Sequence, residues 1–190
     1  AMREKFDVPI VAAGGFATGQ GLAAALALGA DAVVMGTRLS TTVESPLHQR
    51  TKQAHVDATV ENTMFSNRFD GIWCRVLESK SAKKSIKGGM NLFKAAFVGP
   101  QIARQMELPL LKVMLGMLAQ PRNMITLAHM ATAFGKIQTA TEVGDYDNKG
   151  VQLLGQATGL VHDIPTVAEV IERIVQEAKE AGKNVNAMLN

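Results

Sequence analysis

Two short apolar runs, Val8-Pro9-Ile10-Val11-Ala12-Ala13 and Ala32-Val33-Val34-Met35, each stop at glycine, at Gly14-Gly15 and at Gly36. Apolar residues that run on without alternating predict strands covered on both faces, as in a parallel sheet. Between them lies the helical stretch 22–28, with Thr18 placed to cap it and Gly29 placed to end it. The pattern is one βαβ unit. A further helix is expected from Thr37 to about Thr42, directly beyond the second strand. Its free N–H groups would then face the same place as the Gly14-Gly15 turn, where glycine lets backbone approach a ligand closely. Such a convergence suits a phosphate.

Farther along, Ser45-Pro46 is expected to open a helix running through Lys52 to Val60, capped by serine with proline in its first turn. Residues 60–65 and 72–77 read as extended segments around a turn at 67–71. Residues 79–141 are helical in pattern, broken at Gly88-Gly89, Gly99-Pro100, Pro109 and Pro121, and they hold Met90, Met106, Met114, Met117, Met124 and Met130. Methionine fills irregular gaps, so core filler is the plainer reading and a substrate mouth or dimer contact the sharper one. Gly144-Asp145-Tyr146-Asp147-Asn148-Lys149-Gly150 is a turn-rich loop, with a helix expected after it through Leu153, Leu154 and Gln156.

The last helix has the clearest local signals. Thr166-Val167-Ala168-Glu169 is a capping box, Pro165 precedes it, and Gly182 is expected to follow its last turn. Val167, Val170, Ile171, Ile174, Val175 and Ala178 form one apolar stripe, with Glu169 and Arg173 spaced to pair opposite it. The expected division is residues 1–59 as a barrel segment, 60–143 as a smaller, mostly helical domain, and 144–190 packing back on the barrel.

Composition narrows the function. The chain has 190 residues and a formal net charge of +3, but its basic residues are dispersed and aromatics make up only 5%, which is no nucleic-acid profile. Lys80, Lys83, Lys84 and Lys87 read as a solvated helix face. One cysteine, Cys74, cannot form an internal disulfide and fits a reducing compartment. It sits among apolar neighbours, as a small buried side chain does, and nothing nearby would lower its pKa. The apolar run 108–118 is about half a membrane span and holds Lys112. With no targeting segment, the expected location is cytoplasmic. His48, His55, His129 and His162 lie in no metal-ligand pattern, so no metal site is expected; structural or surface roles suit His48 and His55, and a turn suits His162. The Asp145/Asp147 pair lacks the rest of a calcium loop.

Two glycine-ended strands followed by a short helix match the phosphate site that (β/α)₈ barrels build from the loops after strands 7 and 8. Residues 8–46, VPIVAAGGFATGQGLAAALALGADAVVMGTRLSTTVESP, resemble the FMN-phosphate segment of the nitronate monooxygenase family, once called 2-nitropropane dioxygenases. IMP dehydrogenases and FMN-dependent enoyl-ACP reductases are similar there too. Gly144-Asp145, Gly150 and Gly155-Gln156-Ala157-Thr158-Gly159-Leu160 resemble the GD…G…GQ..GL pattern shared by nitronate monooxygenases and flavin enoyl reductases. The likeness is weakest over residues 80–141.

The resemblance implies an α/β fold, the C-terminal portion of an FMN-binding TIM barrel carrying strands 7 and 8, with a mostly helical second domain. It implies FMN as cofactor, with phosphate contacts from Gly14, Gly15, Met35, Gly36 and Thr37, and Gln156 at the pocket mouth or in a helix cap. It implies oxidation of alkyl nitronates with O₂; the alternative on the same scaffold is an NAD(P)H-dependent quinone or enoyl-thioester reductase. The family's base, a histidine in a Gly-His loop, has no match here and is expected upstream. The expected partners are therefore the N-terminal half of the barrel and possible homodimer contacts. A competing reading is an inert half-barrel fragment.

Overall fold

The computed structural model describes residues 7–88 and 121–190, and they fall into two compact units, Ala1–Glu61 with Leu154–Asn190, and Asn62–Leu153. The methionines at 90, 106, 114 and 117, the apolar run 108–118 and the breaks at 89, 99–100 and 109 lie outside the described residues. No helix of the described residues is long and apolar enough to cross a membrane.

In the first unit, β1 (Val11–Ala13) and β2 (Ala32–Val34) pair in parallel, with Val11 opposite Ala32 and Ala13 opposite Val34. Helix α1 (Gly19–Ala27) crosses between them. It begins as its sequence indicates, with the Thr18 hydroxyl accepting from Gly21 N–H, and ends at Gly29, whose φ of +95° only glycine adopts at low cost. The carboxylate of Glu177 also accepts from Gly19 N–H at 2.7 Å, so a distant acidic side chain satisfies another free donor of the same turn.

The strands differ from expectation in one respect: burial on both faces is absent. Ala12 and Val33 are half-buried, but Val11 and Val34 are 52% and 54% exposed. Among the described residues this sheet has two strands, so nothing covers its second face.

Helix α2 is only Thr37–Ser40. It stops short of Thr42 because hydroxyls in the segment turn back on its carbonyls: Ser40 and Thr41 donate to Thr37 O and Thr42 donates to Leu39 O. Helix α3 runs Gln49–Asp57, starting later than Ser45-Pro46 suggests. Its cap is His48, whose Nδ1 accepts from Arg50 N–H, while Ser45 accepts from Leu47 N–H in a separate turn.

A 3₁₀ turn, Gln156–Leu160, leads to the last helix, α6 (Val167–Leu189). The capping box is present, with Thr166 Oγ1 accepting from Glu169 N–H and Glu169 accepting from Thr166 N–H. The helix continues seven residues past Gly182. Glycine inside a helix costs only about 1 kcal/mol, so helix-compatible residues on both sides carry it through. The apolar stripe splits: Val170 and Ile174 are buried, whereas Val167, Ile171 and Val175 are exposed. Helix α1 covers just one edge of it, and at Gly19 an added Cβ would overlap the Ile174 carbonyl and Glu177. Glu169 and Arg173 do not hydrogen-bond each other; Glu169 serves the cap and Arg173 pairs with Asp163.

In the second unit, β3 (Thr63–Ser66) and β4 (Cys74–Leu77) form an antiparallel hairpin with Met64 opposite Val76. Helices α4 (Lys80–Gly88) and α5 (Pro121–Gln138) follow. Phe69, Val76, Ala82, Ala133 and Val151 make its core. The expected helix after Gly150 is absent. Gln152 O accepts from Leu77 N–H and Leu153 bridges Val76, so this stretch adds to the hairpin as extended chain. The second compact unit ends with that pairing, at Leu153. Gly150 is glycine by close approach, since a Cβ there would lie 2.5 Å from Asp145 O and 2.6 Å from Ala140 N. Lys83 and Lys80 pair with Glu78 and Asp147, as a solvated helix face would.

Candidate functional site

Parallel register decides where the glycines meet. Because Ala13 is opposite Val34, the chain leaves β1 into Gly14-Gly15 and leaves β2 into Met35-Gly36-Thr37 at the same end of one ladder. Adjacent strands lie about 4.8 Å apart, so the two turns are neighbours. Gly14 and Gly15 have φ of +95° and +81°, a region open to glycine at little cost, and both are exposed. Among the described residues, no atom beyond the adjoining residues lies within 4 Å of the place where a Cβ would stand on Gly14, Gly15 or Gly36. The backbone there is bare and reachable. Met35 is half-buried between β2 and that ledge.

Thr37 is held from two directions. Its carbonyl accepts from Ser40 Oγ and Thr41 Oγ1, at 3.0 and 2.9 Å. Its own hydroxyl oxygen accepts from Gly155 N–H at 3.0 Å, across 118 residues of chain. With that lone pair used, the hydroxyl proton remains available to an acceptor on the ledge. Gln156 follows Gly155 directly, is exposed, and opens the 3₁₀ turn. A four-residue helix supplies little macrodipole, so the ledge works through individual N–H and O–H donors.

Beneath the ledge lie polar groups that have no local sequence signature. Arg38, 3% exposed, donates to Asp163 Oδ1 at 2.8 Å, to Asp163 O at 2.8 Å and to Thr41 O at 2.9 Å. Asp163 also binds Arg173 at 2.7 Å. Burial alone would raise the Asp163 carboxyl, but hydrogen bonds and charge from Arg173 and Arg38 outweigh it and hold the group below the usual carboxylate range. His55, fully buried, has its Nδ1 2.9 Å from Thr41 Oγ1, and its carbonyl accepts from Thr158 Oγ1 at 2.7 Å. Burial lowers the imidazole to about 4, so it is neutral at pH 7.

Among the described residues of this unit, two concavities stand near the ledge's supporting groups. One, about 1050 Å³ and wide open, follows the outer edge of α6 past Ile171 and Val175. The other, about 330 Å³, is lined by Arg38, His162, Asp163, Arg173 and Glu177 among others. Neither is lined by Gly14, Gly15 or Gly36, so the ledge is an open rim. In the second unit, Cys74 is half-buried and its thiol is pushed up to about 11 by burial and by Asp70. That is a structural thiol, as its neighbours in sequence suggest.

Of the site residues expected from sequence, Gly14, Gly15, Met35, Gly36 and Thr37 share one sheet end, and Gln156 adjoins it through Gly155. Sequence reasoning gave His55 a structural or surface role and placed Gly155 and Thr158 in a motif without their contacts, and it assigned no role to Arg38, Thr41 or Asp163. Only the polarity of Arg38-Leu39-Ser40-Thr41-Thr42, directly after an apolar strand, hinted at them.

A family model described as nitronate monooxygenase matches residues 1–177. Among curated proteins, a (3aS,4S,5R,7aS)-5-hydroxy-7a-methyl-1-oxo-octahydro-1H-indene-4-carboxyl-CoA dehydrogenase of Mycobacterium tuberculosis is 33% identical over 182 residues, 90% of this chain and 50% of that protein. A nitronate monooxygenase of Neurospora crassa is 26% identical over 183 residues, 95% of this chain and 40% of that protein. Among solved structures, FabK from Thermotoga maritima superposes with a TM-score of 0.68 at 29% identity, over 97% of this chain and 49% of that one. The chain spans about half the length of the curated relatives it matches along most of its length.

Proposed function

The chain belongs to the nitronate monooxygenase family, and from that premise we propose that it carries the phosphate site of an FMN-dependent oxidoreductase on a (β/α)₈ scaffold, with β1 and β2 as strands 7 and 8. The observation that carries this reading is the parallel register, which delivers Gly14-Gly15 and Gly36-Thr37 to one end of the sheet. The residues fit the group. A phosphate needs several convergent donors and close backbone approach, and this ledge has open glycines in left-handed conformation beside a threonine hydroxyl with a committed lone pair.

When bound, FMN supplies the redox chemistry. The chain's own residues bind and orient. The N–H groups of Gly14, Gly15, Gly36 and Thr37 would hold the phosphate, with the Thr37 hydroxyl as a further donor. Met35 would stand beside it. Gln156, which follows the Gly155 that Thr37 anchors, would stand at the mouth of the flavin pocket. No described residue is assigned the role of the base that takes the substrate proton.

The reaction of the family name is oxidation of an alkyl nitronate by O₂. A second reading has a specific observation behind it. The Mycobacterium tuberculosis relative, at 33% identity over 90% of this chain, is named for an acyl-CoA substrate. That supports a thioester oxidoreductase. Purified protein is tested for a yellow, FMN-type absorbance, then for O₂ uptake with an alkyl nitronate and for NAD(P)H oxidation with an enoyl-CoA. Flavin with nitronate turnover supports the first reading, flavin with thioester turnover the second. A colourless protein that takes up no FMN overturns both and leaves the inert fragment.

A further inference from the structure

Three threonines and a histidine under the ledge form a connected chain. Thr41 Oγ1 donates its single proton to Thr37 O at 2.9 Å, so toward His55 it can only accept. The tautomer assigned from that network therefore carries its proton on Nδ1. The opposite tautomer would bury an unpaired Nε2–H, since Nε2 has no partner among the described residues. His55 is anchored as well: the Thr158 hydroxyl donates to its carbonyl, and both residues are fully buried. Polarity therefore runs one way, from His55 Nδ1–H to Thr41 Oγ1–H to Thr37 O.

We propose that His55 is a positioning residue for the anion ledge, acting through Thr41 to hold the Thr37 backbone and hydroxyl in the orientation that receives a phosphate. The proposal rests on the phosphate reading of that ledge and deepens it. A helix of four residues has no long ladder to keep its first residue in place, and the Thr37 hydroxyl is pinned from the far side by Gly155 N–H. The buried imidazole supplies the matching restraint from below. A neutral donor is needed there, because a charge at a site with no exposed surface would have to be paired. Burial keeps the imidazole neutral. His55 touches no ligand itself.

The test measures FMN affinity by flavin fluorescence and thermal midpoint together, on purified wild-type protein and on Thr41→Val, His55→Leu, His55→Asn and Gly15→Val. Thr41→Val keeps shape and breaks the relay; His55→Asn keeps a neutral N–H where Nδ1 stood. Thr41→Val and His55→Leu should each weaken FMN binding about tenfold, the effect of losing roughly one net hydrogen bond. His55→Asn should recover most of the affinity even where its midpoint falls as far as that of His55→Leu. Equal affinity losses in the Leu and Asn variants, or unchanged affinity in Thr41→Val, would reduce His55 to a packing residue and overturn the proposal. If wild type binds FMN, Gly15→Val does not, and Thr41→Val and His55→Leu bind normally, this inference alone fails. Absence of binding in wild type sinks the phosphate reading and this one together.

Discussion

Replacing Asp163 with Asn should uncouple α2 from α6 by stranding a buried guanidinium. The Arg38 side chain is 4% exposed and that of Asp163 is 41% exposed. Breaking a fully buried pair costs about 3–5 kcal/mol, and an exposed pair is worth about 0–1 kcal/mol. Here one partner is buried and the other half-solvated, so water can reach the vacated side. Asn also keeps an acceptor oxygen, and the Arg38 bonds to Asp163 O and Thr41 O survive. The expected loss is about 2–3 kcal/mol, or about 1 M in urea midpoint for a typical slope near 2 kcal/mol/M. Trp73, the sole tryptophan, lies in the other unit, so amide hydrogen exchange over residues 38–41 and 170–174 is the more direct probe. The sign with pH is fixed by the lowered carboxyl: its contribution is full above the unfolded value of about 3.9 and is lost as pH falls through the folded one. Wild type and Asp163→Asn should therefore differ at pH 7, still differ near pH 4, and converge only in stronger acid. A double-mutant cycle with Arg38→Met completes the test. A loss below about 0.5 kcal/mol, or the same loss when Arg38 is already absent, would refute the coupling.

Burial also gives His55 an acid limb: its pKa falls from 6.5 to about 4, so stability is full above 6.5 and declines by roughly 3 kcal/mol as pH drops to about 4, and denaturation of His55→Asn across that range should show the slope removed. Gly19→Ala should destabilise the first unit by about 1–3 kcal/mol, because its Cβ meets the Ile174 carbonyl and Glu177 where α1 crosses α6; a melt within error of wild type contradicts that contact. Asp at Ile174 should undock α6, whereas Asp at Ile171, on the exposed edge, should leave circular dichroism and melting close to wild type.

What the sequence made legible was local. A glycine pair after an apolar run, a threonine three residues before Gly21 N–H, and a Thr-x-x-Glu box each act within a few residues of themselves, and each stands where its pattern put it. Thr37–Gly155 and Arg38–Asp163 span 118 and 125 residues, and no spacing rule joins them. His55 illustrates the same limit. A polar residue on a polar helix gives no sign that α3 turns that face inward. The helix expected at residues 151–156 failed for a related reason, because Leu77 and Val76 recruited that stretch as extended chain. Gly182 ended nothing, since a break signal loses to favourable residues on both sides.

The central claim, that Gly14-Gly15 and Gly36-Thr37 form a flavin phosphate site, is tested most directly by titrating FMN into the purified protein and into Gly15→Val. A β-branched side chain at φ +81° strains the turn and puts methyl groups on the open ledge. The account predicts saturable FMN binding by the wild type, displaced by excess inorganic phosphate and lost in Gly15→Val. Equal FMN occupancy in both proteins would contradict it.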